Sequence, residues 1–173
     1  MAGTLSVQQI QGLATAADPT TVTIPSGHTL HPPGHVLQVK HHTIDPGGQS
    51  TTSTSLINNG LNITITPHNA NSSFLIMMCM NECYIPNAQT AMGHAIHRDG
   101  YGSVSGDTDN ATIGYISGAS SNYFNYNLHC YDSPNTTSAV TYRGKVRARY
   151  ANNSVSWNGD NTPTFMTVME IAG

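Results

Sequence analysis

The feature that most constrains the fold of this chain is an alternation of apolar and polar residues that continues from His35 to the C-terminus. Leu61, Ile63 and Ile65, for example, are separated by single polar residues. A period of two places successive side chains on opposite faces of a β-strand. No segment of this region has a convincing amphipathic-helix pattern. The alternation therefore predicts an all-β fold.

Turn sequences divide the alternating region into predicted strands. Asp45-Pro46-Gly47-Gly48 and Asp99-Gly100 are strong turn signals, and Asn59-Gly60 is a pair preferred in two-residue β-hairpins. The predicted strands are Val36–Ile44, Thr51–Asn58, Leu61–Thr66, Phe74–Ile85, Ala91–Arg98, Thr112–Ser117, Tyr123–Tyr131, Ala139–Tyr150 and Phe165–Ala172. Eight to nine strands with short polar turns predict a β-sandwich, and a jelly roll is the commonest arrangement of such a set.

The N-terminal residues 1–34 differ from the rest of the chain. They contain scattered aliphatic residues without a sustained period, and Pro32-Pro33-Gly34 then interrupts both helix and central-strand structure. We therefore divide the chain into an extended N-terminal arm, residues 1–34, and a β-sandwich domain, residues 35–173. The arm is expected to become ordered on a partner, and a frayed terminus without a role is the alternative.

Charged residues make up only 9% of the chain, and the formal net charge is −3. This composition argues against a helical bundle and against nucleic-acid binding by phosphate neutralisation. The sequence also contains no apolar run long enough to span a membrane, and its first residues lack a secretory-signal pattern. Cys79, Cys83 and Cys130 are therefore expected to be free thiols.

The sequence contains no recognisable catalytic or metal-binding motif. Nine histidines are present, but neither His41 and His42 nor His94 and His97 have the spacing that places two imidazoles on one face of a strand. The two glutamates lie in different predicted strands, and nothing in the sequence brings them together across a cleft. We therefore expect no enzymatic activity, no catalytic residue, no cofactor and no bound metal.

Four of the six Lys and Arg residues lie close together near the C-terminal end of the chain. Arg143, Lys145, Arg147 and Arg149 alternate with other residues, which predicts one cationic strand face. Such a face could contact an anionic partner. The alternative is an outward-facing edge strand that charge protects against aggregation.

A group of aromatic and amide residues is the candidate glycan-contact region. It consists of Tyr123, Asn125, Tyr126 and Asn127. Tyrosine rings and asparagine amides are suited to sugars because they combine flat apolar faces with hydrogen-bonding groups. The alternative is an ordinary half-buried strand, which has the same alternation.

Several segments together resemble a family of small bacteriophage virion proteins that is common in marine phages and includes tail-fibre-like and decoration-like β-sandwich proteins. These segments are MAGTLSVQQIQG, IPSGHTL, TITPHNANSSFLIMM, IHRDG, YDSPNTTSAVTYRGKVRA and TFMTVMEIAG. The resemblance implies a non-enzymatic structural protein of the virion, assembled in the host cytoplasm and displayed as a homotrimer on the particle exterior.

The resemblance also implies partners for the two parts of the chain. Residues 1–34 would attach the protein to other virion proteins of the capsid or tail, and the sandwich would form a tail fibre or appendage that can contact a host cell-surface glycan. Neither nucleic acid nor membrane insertion is implied. Two alternatives remain open at this stage, namely a capsid decoration protein, such as a cement protein or head fibre, and a free lectin-like glycan-binding module.

Overall fold

The computed structural model describes residues 32–45, 47–86, 90–105, 112–115, 121–151, 153–159 and 162–173. These ranges contain eleven β-strands and no helix. The strands are β1 (Val36–Ile44), β2 (Gln49–Thr51), β3 (Ile57–Ile65), β4 (Ser73–Ile85), β5 (Ala91–Arg98), β6 (Gly102–Ser103), β7 (Thr112–Tyr115), β8 (Asn122–Asp132), β9 (Val140–Ala148), β10 (Val155–Trp157) and β11 (Thr164–Ile171). The prediction of an all-β fold is confirmed. No helix in the described ranges is long and apolar enough to cross a membrane.

The strands form two antiparallel sheets. In sheet A, the long strand β4 is central. It pairs with β8 on one side, and on the other side it pairs with β11 along its first part and with β10 near its end. β1 pairs with the outer edge of β11, and β2 pairs with the outer edge of β10. In sheet B, the order is β3, β9, β5, and both β6 and β7 pair with β5. Without the three shortest strands, the orders β1-β11-β4-β8 and β3-β9-β5-β7 are those of a jelly roll with Greek-key connections. The predicted β-sandwich is confirmed.

The core lies between the two sheets and is built from the inward-facing residues of the long strands. In sheet A, Phe74, Ile76 and Met78 of β4 are almost fully buried. In sheet B, Ile63, Tyr142 and Val146 contribute to the same cluster. This arrangement follows from the period of two, because alternate residues of each strand face the opposite sheet.

The prediction of a β-hairpin turn at Asn59-Gly60 is wrong, because both residues lie inside β3. The pairing of β3 with β9 is irregular between Asn58 and Asn62, and Gly60 adopts a φ of 101°. The buried Asn59 side chain accepts a hydrogen bond from Leu61 N (3.0 Å) and faces Gly144, where a Cβ would lie 2.4 Å from its Oδ1. The Asn-Gly pair therefore forms a bulge rather than a turn, because the facing strand leaves room for the amide.

The predicted arm lies outside the described residues except for its last three. Residues Pro32–Gly173 form one compact unit. At its start, Gly34 N donates to the carbonyl of Ala172 (2.8 Å) and Ala172 N donates to His35 O (2.8 Å). Gly34 and His35 thus lie beside Ala172, the residue that follows β11.

Candidate functional site

A β-bulge in β4 interrupts the pairing with β8 near one end of sheet A. Met80 pairs with Tyr126 and Cys83 with Phe124, so Asn81 and Glu82 together lie opposite the single residue Asn125. Glu82 has a φ of 47°, which a non-glycine residue rarely adopts. Its backbone N–H donates to Asn125 Oδ1 (3.0 Å). Bulges of this kind redirect side chains and are common next to binding sites.

The bulge opens a small pocket on the outer surface of sheet A, which we call the bulge pocket. Its volume is about 200 Å³, and it is lined by Gly48, Glu82, Tyr84, Tyr123, Ser156 and Gly159. The Tyr84 and Tyr123 rings pack on each other, with centroids 4.5 Å apart and planes inclined by 31°. Tyr123 is 68% exposed. Glu82 Oε2 is buried and has no hydrogen-bond partner among the described residues.

Asn158 organises the backbone around the bulge pocket. This residue is fully buried and has a φ of 59°. Its carbonyl accepts hydrogen bonds from the amides of Gly47 (3.2 Å) and Gly48 (2.7 Å). Its side chain accepts from Thr164 N (3.1 Å) and donates to Asp45 O (2.5 Å). The pocket therefore lies on a rigid, hydrogen-bonded frame.

The four residues predicted as glycan contacts do not all lie on one surface. Tyr123, Asn125 and Asn127 are exposed on the outer face of β8. Tyr126 points the other way and stacks on the buried His94, with centroids 5.2 Å apart and planes inclined by 16°. Burial also raises the pKa of Tyr126. The grouping of Tyr126 with the other three is therefore wrong, because neighbouring residues in a strand face opposite sides.

The outer face of sheet A combines large apolar side chains with uncharged polar ones away from the bulge pocket. Three cross-strand rows extend from β1 through β11 and β4 to β8. They are formed by Val39, Met169, Leu75 and Tyr131; by His41, Thr167, Met77 and His129; and by Thr43, Phe165, Cys79 and Asn127. None of these residues is Asp, Glu, Lys or Arg. We call this surface the apolar face.

The apolar face is open to solvent in the described part of the chain. Val39 is 53% exposed and Tyr131 is 60% exposed. Leu75, Met77 and Phe165 are half-buried. A groove of about 270 Å³ lies beside Met77 and Phe165 and is lined almost entirely by apolar atoms. Apolar patches of this kind on a soluble domain commonly mark interaction surfaces.

The predicted cationic residues lie on the outer face of the opposite sheet. Arg143, Lys145 and Arg147 alternate with buried residues along β9, whereas Arg149 follows the end of that strand. The edge-strand alternative is wrong, because β9 lies between β3 and β5. Lys145 Nζ donates to Asn58 Oδ1 (2.6 Å). We call the surface formed by Arg143, Lys145 and Arg147 the basic face.

Asp99 pairs with one end of the basic face. Arg143 Nε donates to both carboxylate oxygens of Asp99 (2.8 and 3.0 Å), and Nη2 donates to Oδ2 (2.8 Å). These hydrogen bonds, together with the positive charge, lower the pKa of Asp99. Because the pair is largely exposed, solvent screens its attraction.

One cysteine and one histidine meet in the core. Cys83 Sγ lies 3.9 Å from His94 Nε2. Burial raises the pKa of Cys83 to about 12 and lowers the pKa of His94 to about 3. Both groups are therefore neutral near pH 7, whereas a nucleophilic cysteine needs thiolate character. All three cysteines are free thiols, and within the described ranges no three His, Cys, Asp or Glu side chains are grouped as metal ligands.

Several residues of the bulge pocket were not identified from the sequence. Glu82, Tyr84 and Ser156 lie on β4 and β10, which are distant in sequence from Tyr123. No local signal for the bulge was available, because every residue from Phe74 to Met80 is apolar, so the change of parity between Met80 and Cys83 is visible only in the burial of the folded strand. Asn158 also carried no signal in the sequence.

Comparisons with known proteins give no family for this chain. No family model and no curated protein matches it. Among solved structures, the chain is similar to the structure of infectious bursal disease virus Gx strain (TM-score 0.41, 13% identity, covering 80% of this chain and 33% of that one). It is also similar to the infectious bursal disease virus VP2 subviral particle (TM-score 0.42, 13% identity, 80% and 34%). The chain thus spans about a third of the length of these proteins.

Proposed function

We propose that this chain is a non-enzymatic structural protein of a bacteriophage particle. The β-sandwich forms a homotrimer on the particle exterior, within a tail fibre or related appendage, and residues 1–34 attach it to other virion proteins. The resemblance of the sequence segments to phage virion proteins motivates this proposal. The strand order supports it, because jelly rolls are common among viral capsid domains.

The apolar face is the observation that carries the proposal. A surface that exposes Val39 and Tyr131 and contains Leu75 and Met77 gains free energy when a partner covers it. A second copy of the chain can cover it without burying an unpaired charge, because the three rows lack Asp, Glu, Lys and Arg. Assembly around a symmetry axis uses one such surface in every copy.

The buried chemistry of the sandwich supports a structural role rather than catalysis. Cys83 and His94 are both held neutral by burial and serve as core residues. Two cationic groups of sheet B have side-chain partners, namely Arg143, which pairs with Asp99, and Lys145, which donates to Asn58. These contacts stabilise strands and surface loops.

Light scattering on the purified full-length chain tests the assembly. We expect the mass of three chains for the wild type and a smaller species for Leu75→Lys, which places a charge in the apolar face. Asn62→Lys is the matched control, because Asn62 is exposed on the outer face of sheet B. A monomeric wild type, or equal dissociation by both variants, would contradict the proposed interface.

Antibody labelling of intact phage particles tests the location. The proposal predicts label at a tail appendage and a stoichiometric amount of the protein in purified particles. Antibody bound to the capsid would instead indicate that the protein is a capsid decoration protein and not part of the tail. Absence of the protein from purified particles would overturn the virion role.

A further inference from the structure

We propose that the bulge pocket binds one neutral sugar residue of a glycan. The inference rests on the proposed function for its setting, since a sugar site on a displayed virion domain would contact surface polysaccharide of the host. The binding chemistry itself depends only on the residues around the pocket. Tyr123 supplies a flat surface, Glu82 supplies an acceptor, and the two glycines Gly48 and Gly159 line the pocket.

The aromatic part of the pocket has the geometry of a platform. Tyr123 is 68% exposed, and one face of its ring packs against the ring of Tyr84, with the centroids 4.5 Å apart. An exposed ring held in one orientation can pack against the apolar C–H face of a pyranose with little loss of side-chain entropy. Tyr84 therefore holds the Tyr123 ring in place and leaves its other face for a ligand.

The acceptor part of the pocket is the Glu82 carboxylate. Its Oε2 is buried and unpartnered among the described residues, which is costly unless a ligand donates a hydrogen bond to it. Sugar hydroxyls are donors of the required kind. Ser156 adds a hydroxyl to the lining of the pocket. The negative charge of Glu82 also disfavours acidic sugars, so the expected ligand is neutral.

The backbone holds these groups in a costly conformation. Glu82 has a positive φ within the bulge, and Asn125 fixes its amide. Strained non-glycine residues that the surrounding structure holds in place are concentrated at functional sites. Gly159 lies directly beside the Glu82 side chain: a Cβ at position 159 would lie 2.6 Å from Glu82 Oε2, so glycine is required there for the close approach. The arrangement is preorganised for a small ligand.

The geometry distinguishes a sugar from an organic cation. Aromatic cages for quaternary ammonium groups place ring faces around the cation. Here the Tyr84 and Tyr123 rings lie 4.5 Å apart and are inclined by only 31°, so no cation fits between them. The pocket presents a single aromatic face beside a carboxylate, which is suited to a sugar ring.

Saturation-transfer and amide-shift NMR on the full-length chain test the proposal. The probes are the methyl glycosides of α-D-glucose, β-D-galactose, α-D-mannose and N-acetyl-β-D-glucosamine. We expect at least one of them to shift the amides of Glu82, Tyr84 and Tyr123. The methyl glycoside of N-acetylneuraminic acid, which is anionic, should bind more weakly than the best neutral probe.

Two substitutions and one matched control locate the binding. Tyr123→Ala and Glu82→Gln should each weaken binding about tenfold or more, since each removes one anchor of a small site. Tyr101→Ala is the control, because Tyr101 is also 68% exposed but lies outside both the pocket and the apolar face. Unchanged circular dichroism melting curves would show that the variants remain folded.

Three results would overturn the inference. They are no binding of any neutral probe, equal binding by Tyr123→Ala and Tyr101→Ala, and binding of tetramethylammonium in place of sugars. The proposed virion role has a separate test in the labelling of particles. A protein that is present in particles but does not bind sugar would refute only the sugar site, and the reverse result would refute only the virion role.

Discussion

Arg98 and Asp132 form an ion pair that joins the two sheets of the sandwich. Arg98 Nη1 at the end of β5 donates to Asp132 Oδ1 (3.0 Å) and Oδ2 (2.7 Å) at the end of β8. Tyr142 of β9 donates to the same carboxylate (2.8 Å). The side chains of the pair are only 13% and 10% exposed. A buried pair of this kind is sensitive to the loss of either partner.

We expect Arg98→Met to lower the free energy of unfolding by about 3 kcal/mol or more, because it leaves the Asp132 carboxylate buried without its counter-charge. Arg143→Met is the matched control, since Arg143 pairs with Asp99 in an exposed position and should contribute much less. Urea unfolding of both variants measures the difference. If both variants lost the same free energy of unfolding, burial would not be the reason that the Arg98–Asp132 pair stabilises the fold.

Asn158→Ala should destabilise the fold by about 2 kcal/mol or more, because Thr164 N and Asp45 O lose buried hydrogen-bond partners. Asn135→Ala is the control. Asn135 also has a positive φ, of 52°, but it lies exposed in the segment between β8 and β9, so its replacement introduces similar backbone strain without the buried loss. Thermal unfolding compares the two, and a similar effect of both would contradict the role of Asn158 as an anchor.

Glu170 should make stability depend on pH in the acid range. Burial raises its pKa, but hydrogen bonds from His68 and Gln38 outweigh burial and lower the pKa to about 2. A carboxylate whose pKa is lowered by folding stabilises the protein above its unfolded pKa, and this stabilisation is lost as the pH falls from about 4.5 towards 2. The free energies of unfolding of wild type and Glu170→Gln, measured by urea unfolding, should therefore approach each other as the pH falls through this range. A difference that stays constant with pH would contradict the prediction.

Deletion of residues 1–31 should leave a folded sandwich that no longer joins the particle. The hydrophobic core cluster of the described region begins at Leu61, and Gly34 N is already paired with Ala172 O. Circular dichroism and a cooperative melting transition would report the fold, and co-sedimentation with particles would report attachment. Unfolding of the shortened chain would show that the arm contributes to the core.

Replacement of Arg143, Lys145 and Arg147 by Gln should leave the sandwich folded. The three side chains point outward from β9, and its inward-facing residues, such as Val146, are unchanged. If the basic face binds an anionic partner, the triple variant should bind heparin more weakly, and wild-type binding should fall as salt is added. Heparin retention that depends on neither the substitutions nor salt would contradict that role.

Much of the strand pattern could be read from local alternation. β1 and β5 have the predicted bounds, and β4, β8, β9 and β11 each agree with the prediction within two residues at either end. The short strands β2, β6 and β10 were missed, because two or three residues are too few to show a period. Asn59-Gly60 was misassigned, because an Asn-Gly pair favours positive φ both in a turn and in a bulge. Space beside Gly144 selects the bulge.

The candidate site was less accessible to sequence reasoning. Tyr123 and Asn125 were identified from their residue types, but Glu82 and Ser156 come from other strands. A single sequence does not specify which residues of distant strands become neighbours. The same limit applies to the apolar face, whose rows combine four strands.

The amino-acid sequence by itself determined the all-β class and the inward or outward direction of most side chains, because the pleat of a strand is a local property with a period of two. Only the tertiary structure decided the strand order, the bulge at Glu82 and the environment of Asn158. These features depend on packing and hydrogen bonds between residues far apart in the chain, such as Asn158 with Asp45. The sequences of the segments that make such contacts have no period from which the contacts could be predicted.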